Sequence, residues 1–299
     1  MSVAVFGSLN MDLVVRVPRM PEAGETLTGR SFLTNPGGKG ANQAVACARQ
    51  GARVAMVGRV GDDAFGAELR SALAVQGVDA SGVLETPGVS TGVAAILVDD
   101  GAQNCISVVP GANGQVAEAD ADAMRLAGTK LLLLQLEVPM AAVLRAAQVA
   151  RAAGCQVLLN PAPAQALPEA LWPLVDILVL NEIEAKLLGG LADVHAGNAA
   201  EAAAQLSARG PRDVIVTLGA EGAVWFADGK SRHFPAPQVR AVDTTAAGDT
   251  FIGALAALLV EGATMDRAVE HAIRAAAIAV TRVGAQASMP TRAEVLTRS

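Results

Sequence analysis

Five short segments carry residue types and spacings that suit phosphoryl transfer to a hydroxyl group. The first is Asp243-Thr244-Thr245-Ala246-Ala247-Gly248-Asp249, leading into Thr250-Phe251-Ile252-Gly253-Ala254. Small residues at 246–248 let a ligand approach the backbone closely. The run that follows is apolar on most faces and stops at Gly262, which predicts a buried helix. The N-terminus of such a helix presents unpaired N–H groups and a partial positive charge, an anion site made of backbone. Asp249 falls in its first turn. A carboxylate beside a phosphate is repelled unless it has a chemical task, and taking the proton of an attacking hydroxyl is such a task. A plain helix cap is the competing role for Asp249, and its residue type leaves both open.

The second segment, Asn35-Pro36-Gly37-Gly38-Lys39-Gly40-Ala41-Asn42-Gln43, is a glycine-rich turn opening a helix, with Lys39 and Asn42 as polar groups on a compact backbone. The third, Gly7-Ser8-Leu9-Asn10-Met11-Asp12, directly follows an apolar strand. Asn10 and Asp12 are two apart and point the same way in extended chain, offering a donor and acceptors for vicinal hydroxyls; a turn pair is the alternative. The fourth, Asn181-Glu182-Ile183-Glu184, places an amide and a carboxylate one helical turn apart, suited to phosphate oxygens and a hydrated divalent cation. The fifth, Thr217-Leu218-Gly219-Ala220-Glu221-Gly222, ends a strand with two glycines where a nucleotide could come close.

Other motifs fail. Gly229-Lys230-Ser231 ends like a P-loop, but Val224 stands where its first glycine belongs, and GxGxxG and HExxH are absent. His195, His233 and His271 are isolated, with no metal-ligand spacing. Gly88-Val89-Ser90-Thr91-Gly92 matches a nucleophile elbow, yet a strand rather than a helix is predicted after it, so hydrolysis by Ser90 is not expected.

The elements that must position these segments follow from hydrophobic pattern. Val3–Phe6 reads as a buried strand ended by Gly7. Val14, Val15 and Val17 suggest a strand, and Thr26–Phe32 another. Ala41–Gln50 reads as a helix stopped by Gly51, with a strand at Val54–Val57. Val93–Val98 and Asn104–Val109 flank Asp99-Asp100-Gly101 as a hairpin. Strands at Leu131–Leu134, Val157–Leu159, Ile177–Leu180 and Val214–Thr217 alternate with helices Met140–Ala153 and Ala199–Ala208. Two apolar helices follow near 249–261 and 266–281. This alternation predicts an α/β domain with a mostly parallel sheet covered on both faces. The strand-rich excursions near 13–35 and 90–110 would form a small β lid. No repeat or linker divides residues 1–299, so a single domain is expected.

Composition narrows the classes. With 52% hydrophobic residues the 299-residue chain can bury a large core. A net charge of −6, 3% aromatics and no tyrosine argue against a nucleic-acid surface. The longest apolar stretch, Phe251–Val260, is about half of what spans a bilayer. Cys47, Cys105 and Cys155 lie far apart, fitting a reducing compartment. A soluble, cytoplasmic protein without membrane or nucleic-acid partners is the expectation.

In their joint order these segments resemble the ribokinase family of sugar and nucleoside kinases, also called PfkB-like carbohydrate kinases. GGKGANQA (37–44) and DTTAAGDTFIGA (243–254) match its two signatures, and the resemblance runs from Val3 to Pro290. GSLNMDLV at 7–14, NPAPA at 160–164, NEIEA at 181–185 and AAAIAVTRVGAQASMP at 275–290 look most like the ribose-phosphorylating members. The resemblance implies a three-layer α/β/α sandwich with a β-sheet lid over the sugar, and a homodimer in which the lids pair. It implies the reaction ATP + D-ribose → ADP + ribose 5-phosphate. By matching motif, Asn10, Asp12, Gly38, Lys39, Gly40, Ala41, Asn42 and Glu137 would bind the sugar, and Asp249 would take its proton. Ala246, Ala247 and Gly248 would stabilise the transferred phosphoryl. Asn181, Thr217, Gly219, Ala220, Glu221, Gly222 and Gly248 would contact ATP, and Glu184 would place Mg²⁺ through water. A monovalent cation, usually K⁺, is implied at Asp243, Thr245, Ala279, Arg282, Gly284 and Ser288, with Ala279, Arg282 and Gly284 giving backbone carbonyls. The ion would order the anion-binding loop. Ile273 would face the adenine. A kinase for 2-deoxyribose, fructose or a nucleoside, and a silent sugar-binding protein, are the competing expectations.

Overall fold

A computed structural model describes residues 2–101 and 103–297; Met1, Ala102, Arg298 and Ser299 lie outside the described residues. The chain opens with strand β1 (Val3–Phe6), whose alternation sends Val3 and Val5 into one apolar core and Ala4 and Phe6 into another. The same division recurs in every central strand, because both faces of a parallel sheet must be covered.

Strands β2 (Asn10–Arg16) and β3 (Ser31–Gly37) follow, then helix α1 (Lys39–Arg49), strand β4 (Val54–Gly61), helix α2 (Ala64–Val75) and strand β5 (Asp79–Thr86). The hairpin β6 (Gly92–Val98) and β7 (Asn104–Val109) leads to short helix α3 (Glu118–Asp122). Next come β8 (Leu131–Leu134), α4 (Met140–Ala152), β9 (Gln156–Leu159) and β10 (Ile177–Asn181). Helices α5 (Glu182–Gly189) and α6 (Ala199–Ser207) precede β11 (Asp213–Thr217), β12 (Ala223–Ala227) and β13 (Lys230–Phe234). Helices α7 (Ala247–Val260), α8 (Met265–Ala279) and α9 (Arg292–Thr297) close the chain.

The nine-stranded sheet runs β13-β12-β11-β10-β9-β8-β1-β4-β5. It is parallel from β5 to β11, and β12 and β13 are antiparallel. One core packs α1, α2, α7, α8 and α9 on the first face, and the other packs α3 to α6 on the second. This is the three-layer sandwich expected. The chain adds β4 and β5 on one side of β1, then returns to add β8 on the other. The order therefore reverses beside β1, and a crevice opens at the carboxyl ends of the strands there.

The lid is a separate four-stranded sheet, β3-β2-β6-β7. Its second strand is not at Thr26–Phe32. β3 starts at Ser31 because β2 pairs with it residue for residue, from Asn10 opposite Gly37 to Arg16 opposite Ser31. Pro36 is tolerated there because β3 is an edge strand. The Gly88–Gly92 segment joins strands β5 and β6, which rules out a nucleophile elbow.

Candidate active site

The carboxyl ends of β1, β8, β9, β10 and β11 deliver Ser8, Glu137, Asn160, Asn181 and Thr217 to one crevice. Helix α1 enters it by a close backbone approach. Gly38 has φ 87°, and a Cβ there would sit 2.7 Å from the Asn10 amide nitrogen. A Cβ on Gly40 would sit 2.7 Å from the Ser8 nitrogen. The glycines bring the first turn of α1 onto the β1–β2 connection, where Lys39, Gly40, Ala41 and Asn42 line up beneath the lid.

Glu137 ties this corner together: it accepts from the Ser8 hydroxyl and from the Lys39 amide at 3.0 Å. Asn10 and Asp12 project from the lid strand β2 as expected. Asn10 Oδ1 accepts from Asn113 Nδ2 at 2.7 Å, and Asn113 also brackets the backbone of Leu9. Burial, then the nearby carboxylates of Glu137 and Asp249, push Asp12 from its ordinary 3.8 up to about 7. Burial also works against the charge of Lys39, but Asp249, Glu137 and Glu184 outweigh it and lift its pKa above the ordinary value.

The opposite wall is the start of α7. Ala246 is left-handed at φ 58°, a conformation that costs a non-glycine residue on the order of 1–3 kcal/mol, and it turns the chain into the helix. Thr250 holds that turn by donating twice to the Ala246 carbonyl. Asp249 is buried, with 7% of its surface exposed. Its Oδ2 accepts from Asn42 Nδ2 at 3.1 Å and its Oδ1 from Gln43 Nε2 at 3.0 Å. It is therefore oriented by α1 rather than used as a cap. Asp249, Lys39, Asn181, Glu184, Thr217 and Ala246–Gly248 line a cavity of about 230 Å³.

Asn181 and Glu184 form a reciprocal capping box: Glu184 N donates to Asn181 Oδ1 at 2.9 Å and Asn181 N to Glu184 Oε2 at 2.9 Å. Glu184 still lines the cavity, and burial raises its pKa above the ordinary value. The second wing holds Gly219–Glu221, a short turn, and Gly222, which lies against the carbonyl of Phe234. The segment Phe234–Val239 and the helix face carrying Ile273 and Ala277 enclose a larger cavity of about 720 Å³ beside this loop. Ile273, Ala277 and Ile278 give the larger cavity an apolar strip between Glu270 and Arg274, whereas Lys39, Glu184 and Asp249 line the smaller one.

Asp243 stitches a further cluster. Its Oδ1 accepts from the Thr245 amide and hydroxyl at 2.9 and 2.6 Å, and its Oδ2 accepts from the Gly284 amide at 2.9 Å. Although burial opposes it, these bonds hold its carboxyl below the ordinary value. Ser288 Oγ donates to the Ala285 carbonyl at 2.8 Å, and Arg282 turns its guanidinium away to Glu294. The donors here are one carboxylate, hydroxyls and carbonyls of a tight loop. No group of three or more His, Cys, Asp or Glu residues suited to a metal exists among the described residues. Such an oxygen-only set with one carboxylate suits a hard, oxygen-preferring cation rather than a thiolate- or imidazole-bound metal.

Ser8, Gln43, Asn113, Gln135 and Asn160 belong to the site but carried no individual role in the sequence. Asn160 ends an apolar strand, the one signal that could have flagged it. Asn113 sits in a short turn with no motif around it.

Asp249, a buried carboxylate at a helix start, lines the smaller cavity with Lys39, Asn181 and Glu184, and sequence comparison places the chain in a known family. A family model described as pfkB family carbohydrate kinase covers residues 1–292. The chain belongs to this family. A Haemophilus influenzae ribokinase is 42% identical over 99% of this chain and 97% of its own length. A Salmonella typhi deoxyribokinase is 38% identical, covering 97% and 96% of the two chains. The structure of Arabidopsis thaliana ribokinase complexed with ribose and ATP superposes with TM-score 0.92 at 33% identity, over 99% of this chain and 97% of that one. The pfkB assignment accounts for the lid, the glycine-rich α1 entry and the α7 start as parts of one carbohydrate kinase.

Proposed function

We propose that the protein transfers the γ-phosphoryl group of ATP to the terminal hydroxyl of D-ribose, giving ribose 5-phosphate. The observation that carries this reading is Asp249, buried at the first turn of α7 and held on both oxygens. Asn10 and Asp12 face it from the lid, and Lys39, Asn42 and Glu137 from the α1 corner, a donor and acceptor set for a polyol. Gly38, Gly40 and Ala41 supply backbone at the same corner.

Asp249 takes the proton as the hydroxyl attacks. The start of α7 supplies amides where negative charge develops. The Ala247 amide donates to the Thr244 carbonyl at 3.2 Å, a weak turn bond that exchanges for a phosphoryl oxygen. Lys39 adds a positive charge to the same cavity. Asn181 and Thr217 border the phosphates, and Gly219, Ala220, Glu221 and Gly222 lead toward the larger cavity, where Ile273 offers an apolar face to the base. When bound, Mg²⁺ neutralises phosphate charge, and Glu184 would hold its water shell. Asp243, Thr245, Ser288 and the carbonyls of Ala279, Arg282 and Gly284 would hold K⁺ and brace the turn at 244–246.

The lid supports a homodimer. Leu33, Val14, Ile96 and Ile106 form one row across its four strands, on the face that carries Asn10 and Asp12. Leu33 and Ile106 are about half exposed. No helix among the described residues is long and apolar enough to cross a membrane. Free Cys47, Cys105 and Cys155 and the use of ATP support a cytoplasmic setting.

ADP release with ribose, 2-deoxyribose, fructose and a nucleoside, with and without K⁺, tests the reading. Ribose is expected to give the highest kcat/KM, and K⁺ to raise turnover over Na⁺ or Li⁺. Asp249→Ala is expected to lose about 10²–10⁴-fold in kcat while the fold persists by circular dichroism. Ribose binding without ADP formation by the wild type would indicate a silent sugar-binding protein instead.

A further inference from the structure

We infer that Gln43 is a positioning residue for the base, holding Asp249 with a donor whose direction is set at the far end of a buried amide chain. The inference rests on Asp249 being the base. Gln43 is wholly buried in the first turns of α1. Its Nε2 donates to Asp249 Oδ1 at 3.0 Å and to Asn160 Oδ1 at 3.2 Å. Its Oε1 accepts from Gln135 Nε2 at 2.6 Å.

A side-chain amide can be turned end for end with little change of shape, so its direction follows from its partners. The invariant end of this chain is the Val179 carbonyl in β10, which can only accept. Asn160 Nδ2 donates to it at 3.0 Å, so Asn160 must turn Oδ1 toward Gln43. Gln43 must then present Nε2, and its two N–H bonds serve Asn160 and Asp249 together. The reverse orientation would set Oε1 against the Asn160 oxygen and the Asp249 carboxylate at once. Gln135 must in turn present Nε2 to Gln43 Oε1. That choice leaves Gln135 Oε1 buried without a partner, and Gly7 leaves it space, since a Cβ there would lie 2.1 Å from that oxygen. The arrangement tolerates an unpaired acceptor in Gln135 while keeping the donor on the base.

Asn42 holds one Asp249 oxygen and Gln43 the other, so the carboxylate cannot rotate about its bond to the Cβ. A group that must meet one hydroxyl proton gains from this, because small misplacements of reacting atoms are costly. Asp12 on β2, Lys39 on α1 and Glu184 on α5 also face Asp249, and Glu137 acts on Asp12 and Lys39. The informative quantity is therefore the change between variant and wild type.

The test compares kcat and ribose KM across pH for the wild type, Gln43→Glu, Gln43→Met and Asp249→Asn, with a thermal melt of each. In Gln43→Glu a second carboxylate replaces the donor, and the acid limb of kcat is expected to move up by about one unit or more. In Gln43→Met kcat is expected to fall about tenfold or more with ribose KM changed less than about threefold. If Gln43→Glu does not fold, Gln43→Met decides. An unmoved acid limb and wild-type kcat in folded variants, or a lower melting temperature with kcat intact, overturns the role of Gln43. Lost turnover in Asp249→Asn with an unmoved limb in Gln43→Glu rejects Gln43 alone. Retained turnover in Asp249→Asn rejects the base assignment beneath it.

Discussion

Asp12 shows how one half-buried side chain couples folding to pH. Burial is the main cause of its rise from 3.8 to about 7, with Glu137 and Asp249 adding to it. The folded protein thus keeps a proton that the unfolded chain releases near 3.8. Stability from this group is fully present below that value and is lost as pH rises through about 7. An acceptor for sugar hydroxyls works best ionised, so ribose KM is expected to fall as pH rises through about 7. Asp12→Asn should raise KM and remove this pH dependence; a KM profile unchanged by the substitution would separate Asp12 from the sugar. The residue types were legible here, since Asn10 and Asp12 share a face in any extended strand. Their neighbour Asn113 was not, because it reaches Leu9 and Asn10 from more than a hundred residues away.

Helix α1 against helix α7 is the element pair on which the site depends. Asn42 and Gln43 leave α1 and Asp249 leaves α7, so the spacing of two helix axes sets the hydrogen bonds on Asp249. Gly253 permits that spacing. A Cβ there would lie 2.4 Å from the Ala46 Cβ and 2.6 Å from the Cys47 nitrogen. Gly253→Ala is expected to destabilise by about 1–3 kcal/mol, seen as a lower melting temperature. It should also reduce kcat by moving Asp249 from its partners. A stable, fully active variant would show that the two helices have slack. Both helices were legible from apolar runs and terminal glycines. The antiparallel β13 was not, because it is the mostly exposed, polar run Lys230–Phe234, which carries no buried-strand pattern. The start of β3 was misplaced for a related reason: the pairing partner decides a lid strand's limits, and that partner is β2.

At the scale of the whole molecule, the lid presents an unfinished apolar surface. Strand β7 is exposed along its whole length, and Ile106 and Val108 lie half exposed on the face that carries Asn10 and Asp12. A second copy of the lid would cover it. Ile106→Lys is expected to shift the protein toward monomer in sedimentation at micromolar concentration and to raise ribose KM, since the same sheet carries Asn10 and Asp12. A wild-type monomer under those conditions would remove the dimer from the account. The charge balance is read differently at this scale as well. In the proposed reaction, a chain of net charge −6 would meet an anionic nucleotide by local means: the start of α7, Lys39 and the proposed cations.

Sequence alone determined strands β1, β4 and β8 to β11 of the central sheet, the segments that carry chemistry and the carbohydrate-kinase family. It could do so because apolar periodicity and glycine placement are local properties of the chain. Tertiary structure alone decided that Asp249 is a buried carboxylate held by α1 rather than a helix cap. Its partners Asn42 and Gln43 lie 207 and 206 residues away. It also decided the direction of the amide chain through Gln43, Asn160 and Gln135. Hydrogen-bond direction depends on which groups packing brings together, and no spacing along the chain encodes that.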